Sequence, residues 1–395
     1  MKEYSTVIVS TEVPKPEPTS AGERLIRELY LALEAKGQAP VFLAPVPRNG
    51  YAEHYDVDAH FIPVDTHPAT RSLQKLLSPV NTWTPNLSFF FSIIADPKAR
   101  SIIKNAQIVD LQWTSNVLLA PLVRLLNPTA YLIGTFHDVA EQRLRRRARE
   151  EHRSLKSAVW SAQAFASRRM DRMAIKSLDR AVVLSEKDRS LLRSFSAEFD
   201  KIIPVIPPVY LQPDSSVERN PNPYEILFVG TMYRWENHQA VEWFIKDILP
   251  RIWSDKPEVR FTVVGESPSS DLLKVGDDSR ITFTGFVDDV EPFYAKAGLV
   301  VAPIKLGSGV KFKTLDAILR AIPIITTSAG VEGVANVAWV SALAHTSESF
   351  AQKVVEVLSQ YEKFASKAEQ ARHDALITYS QENYREIVGE VYGAK

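Results

Sequence analysis

The residues that could do chemistry lie in two clusters. In the first, Ser308, Gly309 and Val310 stand between an apolar run, GLVVAPIKL, and a helix-length segment, with Lys311, Lys313 and Asp316 close behind. Glycines there let a diphosphate approach backbone N–H groups, and a helix N-terminus favours its negative charge. An ordinary Gly-rich turn is the competing reading. Lysines in a first helical turn oppose the helix dipole at a cost of about 0.3–1 kcal/mol, which a bound diphosphate would offset. Solvated surface lysines are the alternative. Asp316 lies one turn beyond Lys313 on the same face, where a plain ion pair would contribute only about 0.2–0.5 kcal/mol. Three more glycines end apolar runs upstream: Gly230 ahead of Thr231 and Arg234, Gly265 ahead of Glu266, and Gly285 ahead of Phe286 and Val287. In the second cluster, AYLIGTFHD ends on His137 and Asp138, and the loop after TVIVS carries Glu12 and Gly22. A histidine or carboxylate at a strand end can polarise or deprotonate a hydroxyl. A helix cap competes for Asp138, and packing competes for Phe286.

These residues need strand ends to hold them. From Pro223 to Val334 four short buried-type runs (YEILFVGT, RFTVVGE, ITFTG and GLVVAPI) alternate with turns and helix-length segments. That pattern predicts an open parallel sheet wound with helices, whose ligands sit outside the carboxyl ends of the strands. The first half repeats it. TVIVS is followed by a Pro- and Ser-rich loop ending at Ala21-Gly22, a helix over ERLIRELYLALEAKG stopped by Gly37, and the strand APVFLAPV. HFIPVD, AQIVDLQW and AYLIGTFHDV read as further strands, SNVLLAPLVRLLN as a helix, and AVVLSEKD as strand, Ser185, helix. The pattern is poor from Asn49 to Pro97. Pro207-Pro208 and the polar run to Pro223 mark a boundary. VAWV is expected to complete the second sheet. A long helix over SFAQKVVEVLSQYEKFASKAEQARH and an amphipathic tail follow. The division is 1–207, a linker at 208–222, and 223–375, with 376–395 packing back on the first domain.

Composition closes off other classes. The chain has 395 residues, 45% apolar and 24% charged, enough for two cores. There is no cysteine, which removes disulfides, thiolate metal sites and thiol catalysis. No run approaches the roughly 20 apolar residues of a membrane span. Met1 leads almost directly into a strand, so no signal peptide is expected. The formal net charge is +0, but residues 141–176 hold 11 Lys/Arg against 4 Asp/Glu, a local +7. Basic residues interleaved with Trp160 and Phe165 suit an anionic membrane surface, each contributing about 1 kcal/mol near it. A solvated helix face is the alternative. No recognition module for nucleic acid accompanies the charge.

The order and spacing of FVGT, VVGE and TGFVDDVEPFYAKAGLVVAPIKLGSGVKFKTLDA resemble the donor domain of glycosyltransferase family four, particularly its bacterial cell-surface polysaccharide and glycolipid members. The resemblance implies the GT-B fold: two doubly wound Rossmann-like domains, an interdomain cleft and a C-terminal helix crossing back. It implies transfer of a hexose from a UDP- or GDP-linked sugar to a hydroxyl of a saccharide, lipid-linked or small-molecule acceptor, with retention. By resemblance, Lys313 rather than Lys311 meets the donor, Asp316 accepts the ribose hydroxyls, and backbone groups at Phe286 and Val287 hold the base edge-on with Glu266 near the same wall. Gly22 lets its loop approach the donor from the opposite domain, and His137 approaches the transferred sugar. For an inverting reaction, Asp138 and Glu12 are the candidate bases. The family's paired glutamates are here Ser308 and Asp316, and its Arg and Lys after the first donor-domain strand are reduced to Arg234. These departures leave open an epimerase on the same fold or a degenerate nucleotide-sugar-binding subunit. No cofactor or metal is expected, because no His/Asp/Glu cluster has metal spacing. A monomer or weak dimer is expected, cytoplasmic or peripheral on the inner face of the membrane.

Overall fold

The structure, a computed structural model, describes residues 4–16, 18, 21–46, 57–62, 87–151, 154–194, 199–205, 218–306 and 309–393. The chain divides into two compact units, Met1–Tyr210 with Tyr379–Lys395, and Leu211–Thr378. Most of the expected linker, 208–217, lies outside the described residues.

The strands of the first unit are β1 (Tyr4–Val9), β2 (Val41–Pro45), β3 (Ala59–Ile62), β4 (Ala106–Gln112), β5 (Tyr131–Phe136), β6 (Arg180–Val183) and β7 (Ile202–Val205). They form one parallel sheet in the order β3-β2-β1-β4-β5-β6-β7. Its helices are α1 (Ala21–Glu34), α2 (Leu87–Ala95), α3 (Pro97–Lys104), α4 (Thr114–Val117), α5 (Ala120–Leu126), α6 (Ala140–Glu150), α7 (Leu155–Ser177) and α8 (Glu186–Arg193). Caps fix several starts. Asp96 accepts from the amides of Lys98 and Ala99, and Ser185 accepts from that of Asp188. Gly37, at φ 72°, provides the left-handed residue after α1. Period-two alternation splits the core. Val7, Val9, Leu43, Val109 and Leu111 pack on one face, and Ile8, Phe42, Ile108 and Ile133 on the other.

The second unit holds β8 (Asn222–Val229), β9 (Arg260–Val264), β10 (Ile281–Gly285), β11 (Ala297–Ala302), β12 (Ile324–Thr326) and β13 (Ala342–Leu343), ordered β10-β9-β8-β11-β12-β13 and all parallel. Its helices are α9 (Trp235–Trp243), continued by a π turn at Phe244–Ile248, then α10 (Leu249–Asp255), α11 (Ser270–Val275), α12 (Glu291–Lys296), α13 (Phe312–Leu319), α14 (Ser347–Ser359) and α15 (Tyr361–Thr378). VAWV is not the final strand. Val337–Trp339 is a 3-10 turn started by Asn336, whose side chain accepts from the Ala338 amide, and Ala342–Leu343 pairs with β12 instead. The expected long helix is two, α14 and α15, with Gln360 between them. The last helix, α16 (Gln381–Tyr392), belongs to the first unit. It places Tyr384, Val388, Val391 and Tyr392 in the cluster of Ile8, Phe42 and Ile108.

Each sheet reverses its strand order at one place, between β1 and β4 and between β8 and β11. The loops leaving the two strands diverge there and open a crevice. Glu12 follows β1 and Gly230 follows β8, whereas His137 and Asp138 follow β5, the neighbour of β4.

Candidate active site

In the second unit, the ends of β8, β9 and β10 are stitched together by backbone. The amide of Gly230 donates to Val264 O at 2.8 Å, that of Gly265 to Gly285 O at 3.1 Å, and that of Met232 to Glu266 O at 2.9 Å. A Cβ on Gly265 would stand 2.0 Å from Gly230 O, so this approach requires glycine. A Cβ on Gly230 would stand 2.8 Å from the Asn237 side-chain nitrogen and 3.0 Å from Lys313 Nζ. The Lys313 amine thus reaches the end of β8. It donates to Asn237 Oδ1 at 2.5 Å and lies 4.5 Å from the centre of the Phe228 ring. Asn237 in turn donates to Thr231 O at 2.8 Å, which sets the orientation of its amide. Burial, then the neighbouring charges of Lys311 and Arg234, push the Lys313 amine down to about 7, against the pull of Glu236 and Asp316. Arg234 is exposed and Thr231 half-buried.

The turn before α13 contains Gly309 at φ 71°, a left-handed conformation that glycine adopts without strain. Ser308 lies outside the described residues, and Val310 is half-buried. Val310 packs under Gly333, where a Cβ would meet the Val310 Cα at 2.6 Å. Lys311 is the N-cap of α13 rather than part of its first turn, and its Nζ donates to Gly309 O at 2.9 Å. Asp316 does not pair with Lys313. Arg320, one turn on, donates to Asp316 Oδ1 at 3.3 Å and also holds Glu291 of α12. Phe286 is 70% exposed, which removes the core-packing reading; Val287 is half-buried and Glu266 exposed.

In the first unit, His137 follows β5 and stacks on Trp113 with ring centroids 4.6 Å apart and planes 13° apart. Trp113 has φ 70°, which is strained for a bulky side chain. His137 Nε2 lies 2.9 Å from Gln112 Oε1. Burial holds the ring down to about 4, against the opposing pull of Asp138, so the imidazole is neutral at physiological pH. Asp138 does not cap the next helix, whose N-cap is Val139. Its carboxylate instead accepts from Arg143 at 2.6 Å and from Thr114 Oγ1 at 3.2 Å. Glu12 follows β1, its backbone held by Ser10, and burial followed by the charge of Glu23 raises its carboxyl, against Lys15. Gly22 does not end the loop: α1 begins at Ala21, so Gly22 lies in the first helical turn. Burial raises Asp110, beneath this group, to about 6, against hydrogen bonds from Tyr392, Gln112 and Thr135.

Sequence reading missed Asn237, Asp110, Gln112, Trp113 and Tyr392. The available signals were a polar pair at alternate positions in an otherwise apolar strand (Asp110 and Gln112) and an asparagine in the first turn of a helix that follows a glycine strand end.

The fold matches solved glycosyltransferases over nearly the whole chain. A sucrose-phosphate synthase from Thermosynechococcus elongatus superposes with a TM-score of 0.69 at 14% identity, covering 98% of each chain. WaaG, a glycosyltransferase involved in lipopolysaccharide biosynthesis, gives 0.64 at 15% identity, covering 99% of this chain and 100% of that one. Anabaena HepE in complex with UDP-glucose gives 0.62 at 13%, covering 99% and 100%. These likenesses show the fold, GT-B. More particularly, residues 223–360, which lie within the second unit, match the family model Glycosyl transferases group 1. An uncharacterized 44.6 kDa protein of the cps region of Klebsiella pneumoniae is 25% identical over 168 residues, which span 40% of this chain and 42% of that protein.

Proposed function

We propose that the protein transfers a hexose from a UDP- or GDP-linked sugar to a hydroxyl of a saccharide, lipid-linked or small-molecule acceptor, with retention of configuration and without a metal, in the manner of glycosyltransferase family four. The observation that carries this reading is the Lys313 amine, held by Asn237 at the glycine end of β8 within the residues that match the group 1 glycosyltransferase model. A cation at that edge, with Arg234 and Lys311 near enough to depress it, is matched to a pyrophosphate. That Anabaena HepE is seen with UDP-glucose supports a UDP-linked donor.

Lys313 and the amides around Gly309 would take the charge of the leaving diphosphate, the part a metal plays in other transferases. Among the described residues no group of three His, Cys, Asp or Glu side chains could hold a metal ion. Asp316 and backbone groups at Phe286 and Val287 would hold the ribose and base, with Glu266, Gly230, Thr231 and Gly265 shaping the wall. The bond from the sugar C1 to the diphosphate oxygen breaks, and the acceptor oxygen bonds to C1 on the same face. The acceptor proton passes to the departing diphosphate. Neutral His137 orients a sugar hydroxyl, and the Asp138 carboxylate, occupied by Arg143 and Thr114, positions rather than accepts that proton.

A melting-temperature screen with UDP, GDP and their hexose derivatives tests this reading, because a ligand bound only by the folded state stabilises it. One base class should raise the melting temperature, and its sugar should move to an added acceptor. Absence of any shift refutes the donor site, and conversion of the sugar with no acceptor present identifies an epimerase.

A further inference from the structure

We propose that Tyr392, Asp110 and Gln112 form a positioning relay that locks the imidazole of His137 into one tautomer, making the C-terminal helix a working part of the sugar-facing site. The proposal rests on the reading of His137 given above, and goes beyond it in assigning three residues from two distant parts of the chain.

Asp110 and Gln112 stand at alternate positions of β4, on the sheet face that carries Ile8, Ile108 and Ile133. Helix α16 packs on that face beside α1, and its Tyr392 hydroxyl donates to Asp110 Oδ2. Gln112 Nε2 donates to the same carboxylate oxygen at 2.5 Å and to Thr135 Oγ1 at 3.0 Å. The Thr135 hydroxyl in turn donates to Asp110 Oδ1 at 3.3 Å. Both N–H bonds of the Gln112 amide are therefore committed. Rotating that amide by half a turn would break both and set its oxygen against a carboxylate. Oε1 must then face His137, and as it can only accept, the 2.9 Å contact is a donation from Nε2–H. In the neutral ring Nδ1 carries the lone pair. Trp113, stacked at 13°, fixes the plane of the ring, and the relay fixes which nitrogen holds the proton.

A buried carboxylate in an apolar strand also has a structural explanation, in which Asp110 simply pins α16 to the sheet. The two differ in what happens at the histidine. If the network only pins the helix, loosening it leaves the tautomer unchanged.

The test is 15N NMR of histidine-labelled full-length protein, with His137→Asn assigning the resonance, applied to Tyr392→Phe and to Gln112→Met. Wild type should show a single neutral tautomer with the proton on Nε2. Both variants should move the His137 nitrogens toward averaged positions. kcat should fall about tenfold, as expected of a misoriented group, with the donor KM unchanged. A wild-type ring protonated on Nδ1, or an unchanged tautomer in either folded variant, overturns the relay. If Tyr392→Phe does not fold, Gln112→Met carries the decision. The spectra need no substrate, so failure of the relay and failure of the transferase reading are separately visible.

Discussion

At the scale of single residues, Lys313 governs the candidate site of the second unit. In the free protein its amine is pushed down to about 7, chiefly by burial. A bound diphosphate favours the ammonium form, so binding takes up a proton. Affinity for a nucleoside diphosphate sugar should be fully present below pH 7 and weaken as pH rises above it. A sugar-capped diphosphate has no proton of its own titrating there. Calorimetry across pH 6–9 checks this. Lys313→Met should lose about ten- to a hundredfold in affinity, the range for one hydrogen bond to a charged group, and should flatten the profile. An equally sloped profile in the variant would assign the proton elsewhere. Lys313 itself was legible, because a lysine in a first helical turn after a glycine turn asks for an anion. Its partner was not. Asn237 lies 76 positions away, and only the neighbouring placement of β8 and β11 brings the two together. The sequence likewise suggested Asp316 as the partner of Lys313, one turn along the helix, but Arg320 takes that carboxylate from the following turn.

At the scale of elements, the basic segment folds as two helices, α6 and α7, packed on each other. Ser157 Oγ donates to Ala148 O at 2.7 Å, and the Arg147 guanidinium lies 4.4 Å over the Trp160 ring. Trp160 is therefore engaged within the pair, whereas Leu155, Val159, Phe165 and Met173 are exposed along one side of α7 with Lys156, Arg169, Arg172 and Lys176 exposed beside them. Gln163, Ala164, Ser167, Ala174 and Ile175 occupy the opposite, buried side. No helix among the described residues is long and apolar enough to cross a membrane. An exposed apolar stripe edged with cations instead suits adsorption to an anionic surface. Flotation with vesicles should recover the protein only when anionic lipid is present. Arg169→Glu and Arg172→Glu should each weaken recovery about fivefold or more, from roughly 1 kcal/mol per cation. Equal recovery on neutral vesicles would argue against the surface. The charge excess was visible in composition. The side of the helix it occupies, and the removal of Trp160 from it, depend on how α6 packs on α7.

At the scale of the whole molecule, stability against pH reports a buried charge that the site chemistry does not use. Asp171 on α7 is 1% exposed, and its Oδ2 has no hydrogen-bond partner among the described residues. Burial, then Asp138 and Glu141, raise its carboxyl to about 8. A folded-state value above the unfolded one means the native state holds the extra proton. Stability from this group therefore falls as pH rises through the window from about 4 to about 8, and the full cost applies above it. Asp171→Asn should raise the melting temperature by an amount that grows across that window and then levels off, as calorimetric scans can measure. A constant difference from pH 4 to 9 would show that Asp171 does not titrate there. His137, held down to about 4, acts in the opposite sense: its contribution is present above about 6.5 and is lost as pH falls toward 4.

Local pattern by itself determined the two wound sheets, the glycine strand ends and the helix stops, because apolar periodicity, glycine and capping residues act over a few neighbours. It failed at VAWV, where four apolar-rich residues are too few to separate a strand from a turn, and at Gly22, where the helix starts at Ala21, two residues before the expected start at Glu23. Only the tertiary structure decided which side chains meet: Lys313 with Asn237, Asp316 with Arg320, and Tyr392 with Asp110 across 282 positions. The first and last of these pairings follow from strand order and from the face a terminal helix covers, which no local window of sequence contains. Asp316 and Arg320 are only one turn apart, and there packing decides which of two nearby cations the carboxylate meets.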